Sequence, residues 1–285
     1  MRIFVTGATG YIGAAVAAKL IAAGHRVAGL ARSEPSARAL EGLGAEAVAG
    51  SLEDAEAVSS AARAADAAIH IAFANSADAP RLDRLAVDAI LSAMAGSGKP
   101  FLYTSGVWVM GNTGGHVADE STPVHPVDLV AWRPPHEQLV LNAKGVRGIV
   151  IRPGMVYGGS GGLVETLFRP DERGVVHYIG TGENRWSFVH VDDLADLYLL
   201  ALNAPAGSVY FAASGPAIPV SVVAQAAAKG GPVKAIPLEI ARQSMGGFAD
   251  ALALDCMVTA HKAIEELGWK PSARHVLEEL AQQRG

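Results

Sequence analysis

Short apolar runs alternate with longer stretches in which apolar residues recur at helical spacing, and the rhythm holds across the first half of the chain. Ile3-Phe4-Val5 reads as a buried strand, and residues 12–24 as an alanine-rich helix with Gly24 where a C-terminal cap belongs. Residues 26–30 give a second strand, 35–43 a helix closed by Gly44, 45–49 a third strand and 53–64 another helix. The fourth strand, 67–71, leads into a helix over 80–95 that opens with Pro80 and stops at Gly96. Residues 101–104 are a fifth strand. After an irregular glycine-rich loop come a helix over 134–143 and a strand over 147–151. Strand and helix in regular alternation predict an α/β protein with a doubly wound parallel sheet, whose ligands sit at the carboxyl ends of its strands.

Past Pro153 the rhythm breaks. Gly158-Gly159-Ser160-Gly161-Gly162 reads as a flexible loop, and residues 169–182 as polar and turn-rich. A strand at 187–189, a helix over 192–202 and a strand at 208–212 restore the pattern, and short helices follow, the last over 259–267 and 274–283. The expected division is a sheet domain of residues 1–155 plus 187–212, and a smaller, substrate-side C-terminal lobe of 156–186 plus 213–285.

The first strand-to-helix junction reads Thr6-Gly7-Ala8-Thr9-Gly10-Tyr11-Ile12-Gly13. Gly7 allows the tight turn, Gly10 lets a pyrophosphate approach the backbone, and Gly13 lets the helix pack closely on the strand. The unpaired N–H groups and positive dipole end of the helix then face the anion. With a strand before it and a helix after it, this is the turn of a dinucleotide-binding, Rossmann-type sheet. An acid at the end of the second strand normally accepts the ribose 2′-hydroxyl of NAD. Here the strand ends Leu30-Ala31-Arg32-Ser33 without one. Arg32 can pair bidentately with a phosphate and Ser33 can donate to it, which points to NADP.

Composition narrows the partners. The chain has 285 residues, half of them apolar and 18% charged, enough for one domain with an added lobe. Its net charge of −5 offers no basic patch for nucleic acid. A single cysteine, Cys256, excludes an internal disulfide framework and fits a reducing compartment. The first strand starts too early to leave room for a signal peptide, and residues 12–30 are broken by Lys19, His25 and Arg26, so no membrane span is expected. The expectation is a soluble cytoplasmic protein. No histidine, cysteine or carboxylate spacing predicts a metal site.

At this point the chain resembles the extended short-chain dehydrogenase/reductase family, also called the NAD-dependent epimerase/dehydratase family. The resemblance rests on residues 6–13, on His70-Ile71-Ala72, Tyr103-Thr104-Ser105 and Val109-Met110-Gly111, and on Arg152-Pro153-Gly154-Met155-Val156-Tyr157-Gly158. Phe188-Val189-His190-Val191-Asp192-Asp193 and Leu267-Gly268-Trp269-Lys270-Pro271 extend it over nearly the whole chain. It implies a nicotinamide dinucleotide held by Gly7, Thr9, Gly10, Tyr11, Ile12 and Gly13, with Ser51 and Leu52 flanking the adenine. It further implies cofactor contacts from Ala72, Phe73, Thr104, Pro153, Gly154 and Val156. His70 matches a structural histidine, and the acids after His190 are expected to cap the next helix.

The departures concern catalysis. The family uses a serine or threonine after strand five, then a tyrosine and, four residues on, a lysine. Counting back from Gly111 puts Gly106 at the serine position, with Ser105 and Thr104 before it. No tyrosine lies between Tyr103 and Tyr157, and the lysine position falls on Arg133 if Glu137 takes the family's usual glutamate. Arg133 precedes Pro134-Pro135 at a helix's positive end, where a cation is unfavourable by about 0.3–1 kcal/mol unless it meets an anion or hydroxyl. A ligand-contacting role for Arg133 is therefore expected, with Ser105 and Tyr157 as further catalytic candidates. His125 and His136 lie near this region, with surface roles expected for both. In the terms of that resemblance, Trp108 stands where sugar-nucleotide members carry a small polar residue and Met155 where they use an asparagine, while Trp132 and Trp186 add apolar wall, which predicts an apolar or aromatic substrate. Together these give an NADP(H)-dependent oxidoreductase that reduces an apolar carbonyl or imine. The alternatives are a sugar-nucleotide epimerase or dehydratase and a non-catalytic NADP-binding regulator. The helices over 80–95 and 134–143 carry apolar residues at helical spacing, including Leu82, Leu85, Ile90, Leu91, Leu139 and Val140, and the resemblance implies a homodimer through them in a four-helix bundle.

Overall fold

The structure, a computed structural model, describes residues 1–159 and 161–282. Ser160 of the glycine loop and Gln283, the expected end of the last helix, lie outside the described residues.

Six strands follow one another as expected: β1 (Arg2–Thr6), β2 (Arg26–Ala31), β3 (Glu46–Ala49), β4 (Ala67–His70), β5 (Pro100–Thr104) and β6 (Arg147–Pro153). With Ser208–Ala212 they form a seven-stranded sheet in the order Ser208–Ala212, β6, β5, β4, β1, β2, β3. The pairs from β3 to β6 are parallel, Ile3 lying opposite both Val27 and Ala67. Helices cover the sheet's faces, which is why β1 and β4 are buried along almost their whole length and read as continuous apolar runs. The strand order reverses between β1 and β4, so the crevice for a ligand lies at their carboxyl ends.

Local chemistry sets the helices α1 (Tyr11–Ala22), α2 (Glu34–Gly42), α3 (Ala55–Ala64), α4 (Ala79–Met94) and α5 (Arg133–Leu141). Ser33 caps α2 by accepting from the Ser36 N–H, and Asp54 caps α3 by accepting from Ala57. The inward stripe of α4 includes Ala79, Asp83, Ala86, Val87, Ile90 and Met94. A carboxylate on an otherwise apolar stripe needs partners, and it has them, as described below.

The contacts divide the chain into two compact units. The first comprises residues 1–105, 133–151 and 194–209; the second comprises 106–132, 152–193 and 210–285. Within the second unit, Met155–Tyr157 pairs in parallel with Phe188–His190. The stretch over 169–182, expected to be turns, contains the strand Val176–Ile179, paired in parallel with Val233–Ile236. Its partner is far away in sequence, so no local pattern announces it.

The acids after His190 do not cap the following helix, which already begins at Val191. Asp193 is 3% exposed and accepts instead from the backbone N–H groups of Ser272 and Ala273, at 2.9 and 3.2 Å. The Trp269 indole N–H donates to the Asp193 carbonyl at 2.8 Å. At the start of that helix the His190 Nδ1 accepts from the Asp192 N–H at 3.2 Å, and the C-terminal segment supplies Asp193 with donors that burial would otherwise strand. Asp193→Ala is expected to cost about 1–3 kcal/mol, the penalty of leaving those N–H groups unpaired, read as a lower urea midpoint with an unchanged slope.

Candidate active site

The glycine turn between β1 and α1 is sterically closed. Gly7 has φ +76°, and a Cβ there would lie 2.6 Å from the Ala72 nitrogen. A Cβ on Gly13 would sit 2.0 Å from the Gly7 carbonyl oxygen, inside any permitted contact. The Gly10 N–H donates to that same carbonyl at 2.9 Å, folding the turn back on itself. Gly10 stands at the N-cap of α1 with no side-chain cap, and the first helical turn carries no acid. Thr9 and Gly10 are exposed, Tyr11 and Ile12 half-buried. Donors without a resident carboxylate, with no Cβ at Gly7, Gly10 or Gly13, fit the phosphates of a dinucleotide.

The tips of the neighbouring strands follow. Arg32 and Ser33 are exposed at the end of β2, and Ser33 has its oxygen engaged in capping α2. Ser51 and Leu52 are half-buried beyond β3, where the Ser51 hydroxyl accepts from Glu53 N–H at 3.2 Å. Past β4, Ala72 N–H donates to the Thr6 hydroxyl at 3.4 Å, and Phe73 is 59% exposed. The Arg133 guanidinium lies over the Phe73 ring, 5.6 Å from its centroid, and donates to the Thr104 carbonyl at 2.8 Å. Arg133 is thus the first residue of α5, held over the ends of β4 and β5. Ser105 is 7% exposed, and its hydroxyl has no hydrogen-bond partner among the described residues. Such an atom costs about 1–3 kcal/mol until something satisfies it, which marks a place for a ligand's polar atom.

Beneath these tips lies a polar cluster. Asp83 is 5% exposed and accepts from His70 Nε2 at 3.1 Å, His136 Nδ1 at 2.7 Å and the Tyr103 hydroxyl at 2.9 Å. A carboxylate only accepts, so both imidazoles donate to it. His70 Nδ1, at 2.7 Å, then accepts from the Thr6 hydroxyl, which in turn accepts from Ala72. Burial alone would raise the Asp83 carboxyl, but the hydrogen bonds from His136 and His70 and the charge of Arg133 hold it well below the usual range. The structural role expected for His70 agrees with this geometry. The surface role expected for His136 does not: it is 7% exposed, because α5 turns that face onto Asp83. His125 is exposed, as expected.

In the second unit, Pro153 and Gly154 are buried, and the Gly154 N–H donates to the Ala212 carbonyl at 2.8 Å. Met155 is 5% exposed and Val156 half-buried. Trp108 and Trp132 are half-buried. Trp108 packs edge-on against Phe248, with ring centroids 5.8 Å apart, and its indole N–H is buried without a partner among the described residues. Trp186 is 2% exposed, packs on Phe168 and Phe188, and donates to the Leu254 carbonyl at 3.2 Å, so it serves the core of its unit. Tyr157 is likewise engaged: its hydroxyl donates to the Arg274 carbonyl at 2.8 Å and burial pushes it up to about 12. A polar cavity of about 730 Å³ in this unit is lined by residues including Asn112, Glu183, Arg185, Ser221 and Asp255, and by none of the four expected substrate residues.

Comparison with known proteins settles the family. The model of the NAD dependent epimerase/dehydratase family matches residues 3–212. The chain belongs to that family. An uncharacterized protein of Schizosaccharomyces pombe is 33% identical over 99% of this chain and 98% of its own length. A Stigmatella aurantiaca 4-hydroxy-2-methyl-3-oxo-4-farnesyl-3,4-dihydroquinoline-1-oxide ketoreductase is 30% identical over 75% of this chain and 69% of its own. Among solved structures, Thermus thermophilus UDP-glucose 4-epimerase in complex with NAD superposes with a TM-score of 0.79 at 21% identity, covering 99% of this chain and 97% of that one. This likeness is one of fold. As an epimerase/dehydratase-family protein the chain is an NAD(P)-dependent oxidoreductase of the extended short-chain dehydrogenase/reductase kind. No helix among the described residues is long and apolar enough to cross a membrane, and no metal-binding group of side chains occurs among them.

Sequence reasoning passed over Asp83 and Tyr198. Asp83 had a readable signal, an acid on the apolar stripe of α4. Tyr198 had none, since the Thr104 hydroxyl it meets is 94 residues away. Asp83→Ala is expected to cost about 3–5 kcal/mol, because it strands three buried donors. Its folded carboxyl is held below the unfolded value of about 3.9, so its contribution is complete above that pH and is lost as the pH falls further. Urea titrations of wild type and variant should therefore differ most at neutral pH and converge below about pH 4.

Proposed function

We propose that the protein is an NADP(H)-dependent oxidoreductase that reduces an apolar or aromatic ketone, with cyclic imines as further substrates of the same kind. The observation that carries this is the uncapped, acid-free start of α1 behind Gly7, Gly10 and Gly13, with Arg32 exposed at the end of β2 where an acid would select NAD. Arg32 is the residue assigned to the 2′-phosphate, and Ser33 to a supporting contact. The ketoreductase relative supports a carbonyl substrate attached to an apolar body. Met155 and Trp108 are assigned to its apolar wall, together with Trp132.

When bound, NADPH supplies the hydride. Arg133 is assigned to polarising the substrate oxygen or holding the nicotinamide ribose, since a guanidinium offers charge and N–H donors but is a poor general acid. Ser105 adds a hydroxyl whose hydrogen-bonding capacity is unspent. Tyr157 is assigned to packing, since its hydroxyl already has a partner. The second reading, a sugar-nucleotide epimerase or dehydratase, is favoured by likeness of fold. For a dimer, α4 and α5 are the assigned faces: Ile90 and Val140 are buried in the core, but Leu82, Leu85, Leu91 and Leu139 remain half-exposed.

Fluorescence titration should show NADPH bound more tightly than NADH, with Arg32→Ala removing most of the difference; equal wild-type affinities would overturn the 2′-phosphate assignment. An NADPH-oxidation screen over alkyl and aryl ketones, aldehydes, cyclic imines and nucleotide sugars tests the reaction. Turnover of ketones or imines is expected; activity confined to nucleotide sugars establishes the second reading, and none at all leaves a cofactor-binding regulator. Light scattering at micromolar concentration should give twice the chain mass, and a monomer mass removes the dimer.

A further inference from the structure

No tyrosine lies between Tyr103 and Tyr157, but the first unit brings a later one to the end of β5 from another helix. Tyr198, on the helix Val191–Ala201, is fully buried, and its hydroxyl lies 2.5 Å from the Thr104 hydroxyl. Thr104 is the last residue of β5 and is half-buried, so its side chain is reachable where Tyr198 is not. The same residue's carbonyl accepts from Arg133 at 2.8 Å. One threonine thus joins a buried phenol to the guanidinium at the start of α5.

The direction of the hydroxyl pair follows from proton counting. A buried phenolic O–H must be donated, and Thr104 Oγ1 is its acceptor. The threonine then accepts through a lone pair, and its own O–H is released for a different acceptor. Burial pushes the Tyr198 phenol far above its ordinary value, opposed by the Thr104 hydrogen bond and the Arg133 charge. Tyr198 therefore rests protonated. An alkoxide is a stronger base still, so a proton drawn through Thr104 toward one runs downhill.

We propose, on the reductase reading above, that Thr104 is the hydroxyl that protonates the substrate oxygen and that Tyr198 is the positioning residue that orients and resupplies it. With the hydride, and its electron pair, that bound NADPH would supply to the carbonyl carbon, the C–O π pair moves to the substrate oxygen. The oxygen forms its O–H bond with the Thr104 proton while Thr104 Oγ1 takes the phenolic proton of Tyr198. The negative charge rests on the Tyr198 oxygen, within the field of Arg133. When the alcohol leaves, a proton from water returns through Thr104 to Tyr198. An iminium substrate arrives already protonated and bypasses the pair.

The test compares wild type with Tyr198→Phe, Thr104→Val and Thr104→Ser in the full chain. Without cofactor or substrate, proton NMR should show a downfield, slowly exchanging hydroxyl proton that both Tyr198→Phe and Thr104→Val lose and Thr104→Ser keeps. With NADPH and a ketone found in the screen, Tyr198→Phe and Thr104→Val should each lose about 10²-fold in turnover, and Thr104→Ser should retain most of it. Turnover of a cyclic iminium should fall far less in Tyr198→Phe than turnover of the ketone. The solvent proton inventory for the ketone should be curved in wild type, two protons moving together, and linear in Tyr198→Phe. Wild-type ketone turnover in Tyr198→Phe, or equal losses on ketone and iminium, would overturn the proton pathway while leaving the reductase reading intact. A wild type that binds NADPH but reduces neither substrate overturns the reductase reading, and the pathway with it.

Discussion

One buried carboxylate holds the first unit's working edge together. Asp83 receives His70 from β4, Tyr103 from β5 and His136 from α5, and through His70 it reaches Thr6 at the end of β1. A carboxylate away from water is costly unless its acceptor sites are filled, and here donors from different elements fill them. Each element is therefore fixed relative to the others by the same charge. Thr6 leads directly into the glycine turn, and His136 lies one helical turn beyond Arg133, so the cluster sets the positions of both.

On that base the exposed strand ends acquire their chemistry. Backbone carries much of it: at Gly7 and Gly13 the turn has no room for a Cβ, and the start of α1 carries neither a side-chain cap nor an acid. Arg133 adds a permanent charge held by the Thr104 carbonyl and the Phe73 ring. A lysine at such a place can shift its ionisation and tune a neighbouring tyrosine, whereas an arginine cannot, and the phenol it influences is a buried one on another helix. Within the second unit, Trp186 is spent on the core, and the Trp108 indole N–H has no partner among the described residues.

The sequence by itself determined what depends on neighbours along the chain. Strand and helix periodicity located all six strands from β1 to β6 and all five helices from α1 to α5, within a residue or two at their ends, and the Gly7, Gly10 and Gly13 spacing located the tight turn between β1 and α1. These are short-range properties, since a turn's glycines and a helix's stripe are set within a few residues. Only the tertiary structure decided the rest. The strand Val176–Ile179 exists because Val233–Ile236 offers its edge, His136 is buried because Asp83 faces it, and Asp193 serves Ser272 and Ala273 rather than its own helix. The hydroxyl of Thr104 meets Tyr198 for the same reason. A hydrogen bond is decided by distances of about 3 Å between atoms that the fold, and not the order of the chain, brings together.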